Sequence, residues 1–165
     1  MDLSVKRTLT EREHEEVARL GQTLALAGIV ANAEWRADQW AFHGGSALRL
    51  SGRSHRWSED LDFMLARDAA GVDELDRVME RAGEHVRRGL DSAYPRSELD
   101  VKPPKRKAGR SSNVAAYTLR WSHPMRQGAV KIKCELYATA PEALARYETD
   151  PMTLTTPDGA TYELP

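Results

Sequence analysis

The chain has 165 residues, which is long enough for one domain with a substantial core. Its 24 lysine and arginine residues nearly balance 25 aspartate and glutamate residues, so the overall charge predicts neither a nucleic-acid coat nor a membrane-surface partner. The single cysteine excludes an internal disulfide framework and is typical of a reducing compartment. No apolar run approaches the roughly 20 residues of a membrane span, and the N-terminus is too polar for a signal peptide. These features predict a soluble, cytoplasmic protein.

The first predicted elements are a helix, a short strand and a second, shorter helix. Thr10 and Glu13 form a capping-box pattern before a helix that the apolar spacing predicts over about 11–27. The stretch QWAFHGG is predicted to be a short buried strand that ends at two glycines. One or two helical turns follow in SALRLSG, with Gly52 as the stop.

The rest of the chain is rich in strands. EDLDFML, from Glu59, is predicted to be a strand, and another helix is predicted over about 72–89. Further strands are predicted at SELDVKP, VAAYTLRW and AVKIKCELYA, and the tail TTPDGATYELP contains a turn signal and one last edge strand. This mixture predicts a single α+β domain over residues 1–165, with a mixed or antiparallel sheet flanked by helices.

A glycine pair and a serine stand at the junction between the first predicted strand and the helix after it. Gly44 and Gly45 have no Cβ, so a phosphate group can approach the backbone closely. The first N–H groups of the helix would point at that phosphate, and Ser46 would cap the helix or donate its hydroxyl to a phosphate oxygen. The alternative is an ordinary tight turn with no binding role.

Two aspartates lie close together in the strand that follows. Asp60 and Asp62 share one face of the strand because side chains alternate, whereas Leu61 and Phe63 point to the other face and into the core. Hard divalent cations such as Mg²⁺ prefer carboxylate oxygens and often complete their ligands with phosphate oxygens. The alternatives are a solvated strand face or ion pairs with nearby arginines.

A later strand supplies a third carboxylate. In VKIKCELY, Lys133 and Glu135 share one face, while Ile132 and Cys134 share the apolar face. Glu135 would complete a cation site, and Lys133 would contact phosphate oxygens. Asp100 in SELDVKP is a rival third carboxylate, and an exposed amphipathic strand without a site is the alternative interpretation.

Basic residues flank these elements. Arg53 and Arg56 lie just before the strand with the two aspartates and would either neutralise the carboxylates or bind a triphosphate. The segment KPPKRKAGR, 102–110, carries five basic residues and would either guide an RNA backbone or form a solvated connection. His43 is predicted to be a satisfied core histidine, and Trp57 a packing residue.

The combined pattern resembles a known family. GGS, thirteen intervening residues, DLD and a later strand with a glutamate look like the DNA polymerase beta-type nucleotidyltransferase superfamily. More narrowly, FHGGSALRLSGRSHRWSEDLDF is similar to the AbiEii/AbiGii toxin family of bacterial toxin–antitoxin and phage-defence systems. The resemblance covers about residues 38–138, which would form the catalytic core.

This resemblance implies a transferase that uses Mg²⁺ or Mn²⁺ to move a nucleoside monophosphate from an NTP to an acceptor. The implied acceptor is RNA, such as the end of a tRNA, or a protein side chain. A cognate antitoxin is implied as well, although it need not form a stable complex. The roles implied for single residues are nucleotide binding by Gly44, Gly45, Ser46 and Lys133, and catalysis with metal binding by Asp60, Asp62 and Glu135.

The sequence departs from the family pattern at its end. Family members continue into a helical region with a further lysine and an Arg-Asp motif, and this chain ends at TYELP, about where that region would begin. The departure predicts either a truncated form or fragment, or a missing half that another chain supplies, and it leaves open whether this short chain is active alone. Two other functions also stay open: a non-catalytic binding module, and a transferase that modifies a small molecule such as an antibiotic.

Overall fold

The structure is a computed structural model that describes residues 6–105 and 112–165. Most of the predicted basic segment, from residue 106 to 110, lies outside the described residues. The helices are α1 (Glu11–Asn32), α2 (Gly44–Leu50), α3 (Val72–Ala93) and α4 (Pro141–Leu144), with a 3₁₀ turn at Ala37–Gln39. The strands are β1 (Arg7–Thr8), β2 (Trp40–His43), β3 (Asp60–Ala66), β4 (Glu98–Lys102), β5 (Val114–Ser122), β6 (Arg126–Gln127), β7 (Val130–Thr139), β8 (Met152–Thr155) and β9 (Thr161–Leu164).

A five-stranded mixed sheet forms the centre of the fold, in the order β2-β3-β7-β5-β4. Strands β3 and β7 are parallel, and all other neighbours in this sheet are antiparallel. The long helices α1 and α3 pack against each other and against this sheet. The α+β prediction is therefore confirmed.

One face of the sheet, here called the helical face, is buried under α1 and α3. The capping box predicted at the start of α1 is present, because the Thr10 side chain accepts from the Glu13 N–H while the Glu13 side chain accepts from the Thr10 N–H. Inward side chains of α1, α3 and the sheet form one continuous apolar core. Both long helices are longer than predicted, ending at Asn32 and Ala93 instead of about 27 and 89.

The opposite face of the sheet, here called the open face, carries polar and charged side chains. At one end of this face, Leu144 of α4 packs on Ala41 and Ala66. Helix α2 lies beside β2 and β3 at the sheet edge. Polar groups at the other end of β3 therefore stay accessible to solvent.

The C-terminal tail contains the predicted turn and last strand, β9, and also a strand before the turn, β8, that was not predicted. Strands β8 and β9 pair with each other as a hairpin, not with the main sheet. The hairpin buries Leu154 and Leu164 in the common core, and the Tyr162 ring lies 6.4 Å from the His85 ring of α3. No helix among the described residues is both long and apolar enough to cross a membrane.

Candidate active site

The parallel pairing of β3 with β7 brings the predicted acidic residues together on the open face. Asp62 lies directly opposite Glu135, and Asp60 lies opposite Lys133. Leu61 of the same strand is fully buried on the helical face, which is the alternation expected of a half-buried strand. Two strands that are remote in sequence therefore place three carboxylates and an ammonium group side by side.

Lys133 and Tyr137 hold the Glu135 carboxylate from two sides. The Lys133 ammonium lies 2.5 Å from Oε1 of Glu135 and 3.9 Å from Oδ2 of Asp60, and the Tyr137 hydroxyl donates to Oε2 of Glu135 at 2.5 Å. The hydrogen bonds from Lys133 and Tyr137 lower the pKa of Glu135, and the same contact with Glu135 raises the pKa of Tyr137 to about 12. Glu135 is thus stabilised in its ionised form.

Asp62 has the opposite electrostatic environment. Burial is the main cause that raises the pKa of the Asp62 carboxyl; the nearby charges of Asp60 and Glu135 raise it further, whereas His43 lowers it. A carboxylate that is partly desolvated next to other carboxylates gains from a cation or a proton. Of the three carboxylates, that of Asp62 is therefore the best suited to bind a cation or a proton.

The first glycine of the predicted turn is needed for two reasons. Gly44 has a φ of +78°, a backbone angle that residues with a Cβ rarely adopt. In addition, a Cβ at this position would lie 2.5 Å from Oδ2 of Asp62. Its neighbour Gly45 packs against the side chain of Ser58, where a Cβ would lie 2.9 Å from the Ser58 Cβ. The glycine pair lets the start of α2 approach the carboxylates closely.

Ser46 has a different environment from the one predicted. Helix α2 begins at Gly44 with His43 at the cap, so the interpretation of Ser46 as the helix cap is wrong. Ser46 is fully buried, and its hydroxyl donates to the main-chain carbonyl of Asp60 at 2.5 Å. In this arrangement the hydroxyl ties α2 to β3 and is not free for a phosphate oxygen.

Among the described residues, the arginines before β3 form no ion pair with these carboxylates. Arg53 forms an exposed ion pair with Asp150, and Arg56 forms no ion pair with a described residue. Lys133, not an arginine, provides the positive charge beside Asp60. The rival carboxylate, Asp100, is on β4, which β5 separates from β7, so it does not join the group.

One residue of the site was missed at the sequence level. His43 is the cross-strand neighbour of Asp62, its ring lies 5.8 Å from the Tyr137 ring, and its buried Nε2 has no hydrogen-bond partner among the described residues. The prediction of a satisfied core histidine is therefore wrong. Its position could have been found from the alternation in β2, because Trp40 and Phe42 face the core.

Trp57 is a packing residue, as predicted. The guanidinium carbons of Arg19 and Arg49 lie 5.2 Å and 5.0 Å from its ring centre, in contacts of the cation–π type. Burial, and then the charge of Arg19, lower the pKa of Arg49. These contacts support the loop that leads from α2 to β3.

Two of the three acids fit a divalent cation in this arrangement. Asp60 and Asp62 present neighbouring carboxylates on the open face, the oxygen donors that Mg²⁺ prefers. Both oxygens of Glu135 are engaged by Lys133 and Tyr137, and within residues 6–105 and 112–165 no group of three His, Cys, Asp or Glu side chains is placed to hold a metal ion. The three carboxylates therefore lie side by side without forming one set of metal ligands among these residues, and phosphate oxygens would have to supply the missing ligands.

Sequence comparison identifies the family. The sequence model described as "Nucleotidyl transferase AbiEii toxin, Type IV TA system" matches residues 25–157, which is most of the chain. The chain belongs to this nucleotidyltransferase family of toxins from type IV toxin–antitoxin systems, as the resemblance implied. No curated protein matches the chain.

Two crystal structures from Helicobacter pylori are similar to this chain. One is described as a candidate nucleotidyltransferase and has 22% identity and a TM-score of 0.43, with 78% of this chain and 46% of that chain covered. The other is JHP933, with 22% identity and a TM-score of 0.48, covering 89% of this chain and 51% of that chain. The chain thus spans about half the length of these two proteins.

Proposed function

We propose that this protein is a Mg²⁺- or Mn²⁺-dependent nucleotidyltransferase that moves a nucleoside monophosphate from an NTP to RNA, with tRNA as the first candidate. The observation that carries this proposal is the in-register pairing of Asp62 with Glu135, next to Asp60 and the Gly44 turn. In the cell it would act as a toxin, with a cognate antitoxin as its partner, in phage defence. The AbiEii family supports the transferase and toxin parts, and the RNA acceptor rests on the family resemblance.

Each residue of the site has a role that follows from its environment. Asp60 and Asp62 would hold the cation, which neutralises phosphate charge when bound. Lys133 would contact phosphate oxygens, because its ammonium already lies among the carboxylates. The Gly44–Gly45 turn would admit the phosphates close to the backbone, and Ser46 would fix Asp60 through its main chain.

The proposed reaction is an in-line displacement at the α-phosphorus. The acceptor hydroxyl oxygen forms a bond to this phosphorus, the bond to the oxygen bridging the α- and β-phosphates breaks, and pyrophosphate leaves with the electron pair. The hydroxyl proton passes to a carboxylate.

NTP binding provides the first test. Calorimetry with each of the four NTPs and Mg²⁺ should show binding to the wild type, and EDTA or Asp62→Asn should remove it. Asp100→Asn is the matched control, since Asp100 is an exposed aspartate in the same sheet but two strands from β7. Equal NTP affinity in the Asp62→Asn and Asp100→Asn variants would contradict the assigned site.

Transfer of label from an α-labelled NTP to bulk tRNA provides the second test. Labelled RNA that depends on Asp62 supports the proposal, whereas label only in protein or in a small molecule would replace RNA with that acceptor. NTP binding without any transfer would support a non-catalytic binding module. That alternative is favoured by one observation: Glu135 already has both oxygens occupied.

A further inference from the structure

A cleft of about 300 Å³ opens beside the carboxylates. Helix α2 forms one wall, the segment from Tyr147 to Met152 forms the other, and Met64 of β3 lies at its base. We call this feature the α2 cleft. Its position on the open side of the sheet separates it from the hollow of about 550 Å³ that α1 and α3 line on the helical side.

The inner end of the α2 cleft reaches the candidate active site. Both His43 and Gly44 line it. His43 is the cross-strand neighbour of Asp62, and the backbone of Gly44 is so near that a Cβ there would lie 2.5 Å from Oδ2 of Asp62. A ligand held by Asp62 at one end could therefore extend directly into the cleft.

The walls of the cleft carry two large apolar side chains that are about half exposed. Tyr147 is 57% exposed and Leu48 is 48% exposed, and both face the cleft from opposite walls. Only two other large apolar side chains are this exposed among the described residues. An aromatic ring and an apolar wall beside a charged site are suited to a flat, partly apolar group such as a nucleobase.

An exposed ion pair links the two walls. Arg53 follows α2 and Asp150 belongs to the Tyr147–Met152 segment, and both side chains line the cleft. Exposed ion pairs of this kind contribute little free energy, so the walls can separate when a ligand enters. Because this contact holds Arg53 in the cleft, Arg53 would face the nucleoside of a bound NTP and not its phosphates.

We propose that the α2 cleft binds the nucleoside part of the NTP, with the base stacked on Tyr147 and the triphosphate directed past Gly44 to the carboxylates. This inference rests on the function proposed above. The volume of the cleft is close to the lower limit of small-molecule pockets, about 300 Å³, which suits one nucleoside but not an oligonucleotide.

The test compares a ligand that has a base with one that has none. Affinities for NTP and for inorganic tripolyphosphate, both with Mg²⁺, are measured by calorimetry on wild type, Tyr147→Ala and Tyr147→Phe. Tyr147→Ala should weaken NTP binding about tenfold or more, because a base loses its stacking partner, and should leave tripolyphosphate binding unchanged. Tyr147→Phe should keep the wild-type affinity for both ligands.

The control and the contradicting outcomes separate this inference from the proposed function. Met125→Ala removes another exposed apolar side chain, outside the cleft, and should change neither affinity. Unchanged NTP affinity in Tyr147→Ala, or an equal loss for both ligands, would overturn the cleft assignment while leaving the carboxylate site intact. A wild-type protein that binds neither ligand would overturn the proposed function, and this inference with it.

Discussion

The two faces of the central sheet use the same strands for opposite purposes. On the helical face, Leu61 and Phe63 of β3 and Cys134 of β7 are fully buried among apolar neighbours. On the open face, one residue along each strand, Asp62 and Glu135 are charged and partly accessible. Because side chains alternate along a strand, neighbouring positions in the sequence belong to different environments.

Residues that stabilise the fold and residues of the candidate site are therefore adjacent in the sequence of each strand. Burial of apolar surface on the helical face supplies the folding free energy. On the open face, partial burial, and then the charges of Asp60 and Glu135, disfavour the ionised form of Asp62, which is why its pKa is raised. The charged side chains of the candidate site are therefore expected to lower the free energy of unfolding.

The largest effect is expected on the helical face. Phe63→Ala should lower the free energy of unfolding by about 3–5 kcal/mol, because Phe63 is fully buried and its ring packs against Phe42 and Trp40 at 5.3 Å and 6.1 Å. Urea denaturation followed by circular dichroism measures the change. A loss below about 1 kcal/mol would show that this face is not the main source of stability.

Two glycines before β3, Gly44 and Gly52, have a positive φ, but only Gly44 lies against the open face. Gly44→Ala and Gly52→Ala should each cost about 1–2 kcal/mol of stability, because their φ angles are +78° and +74°. Only Gly44→Ala places a Cβ against Asp62, whereas a Cβ on Gly52 meets nothing within 4 Å. Affinity for NTP with Mg²⁺ should therefore fall about 100-fold in the first variant and stay unchanged in the second.

A charge on the helical layer should behave differently from the charges on the open face. The N–H of Thr10 and the side chain of Arg7 lower the pKa of Glu13 to about 2, so its ionised form stabilises the folded protein above the unfolded pKa. Glu13→Gln should be less stable than wild type at pH 7. This difference should shrink as the pH falls from about 4.5 towards 2, as thermal unfolding across this range would show. A difference that is independent of pH would contradict the assigned role of the carboxylate.

The smallest change in stability is expected at the site itself. Asp62→Asn should alter the free energy of unfolding by no more than about 0.5 kcal/mol, or should raise it, because it removes a charge that its surroundings disfavour. The measurement is the same urea titration as for Phe63→Ala. A large destabilisation by Asp62→Asn would mean that the open face also contributes to the stability of the fold.

Much of the site could be predicted because it depends on the alternation of side chains along two strands and on the glycines of one local turn. The alternation in β3 and β7 is enough to assign Asp62 and Glu135 to faces opposite Leu61 and Cys134. The sequence could not show that β3 and β7 are neighbours, since strand order depends on long-range packing and not on local pattern. The pairing of Asp62 with Glu135 was therefore a hypothesis until the register was known.

The predictions that were wrong involve contacts that no local pattern contains. Helix α1 continues past its predicted end because Gly28 lets it approach α3, where a Cβ would lie 2.8 Å from the Cα of Ala82. Ser46 looks like a helix cap locally, but it is buried against the Asp60 main chain. The short strands β1 and β6 pair only with each other, and their two residues each are too few for a periodic pattern.

The parallel pairing of β3 with β7 also determines when the candidate site can be completed during synthesis of the chain. The two aspartates emerge from the ribosome well before Glu135 and Lys133, with α3, β4 and β5 between them. A nascent chain that stops inside β5 has the glycine turn, both aspartates and the pairing of β2 with β3, but it lacks β7 with Lys133 and Glu135. The candidate site is therefore completed late in translation, and prematurely terminated products that lack β7 should not form it.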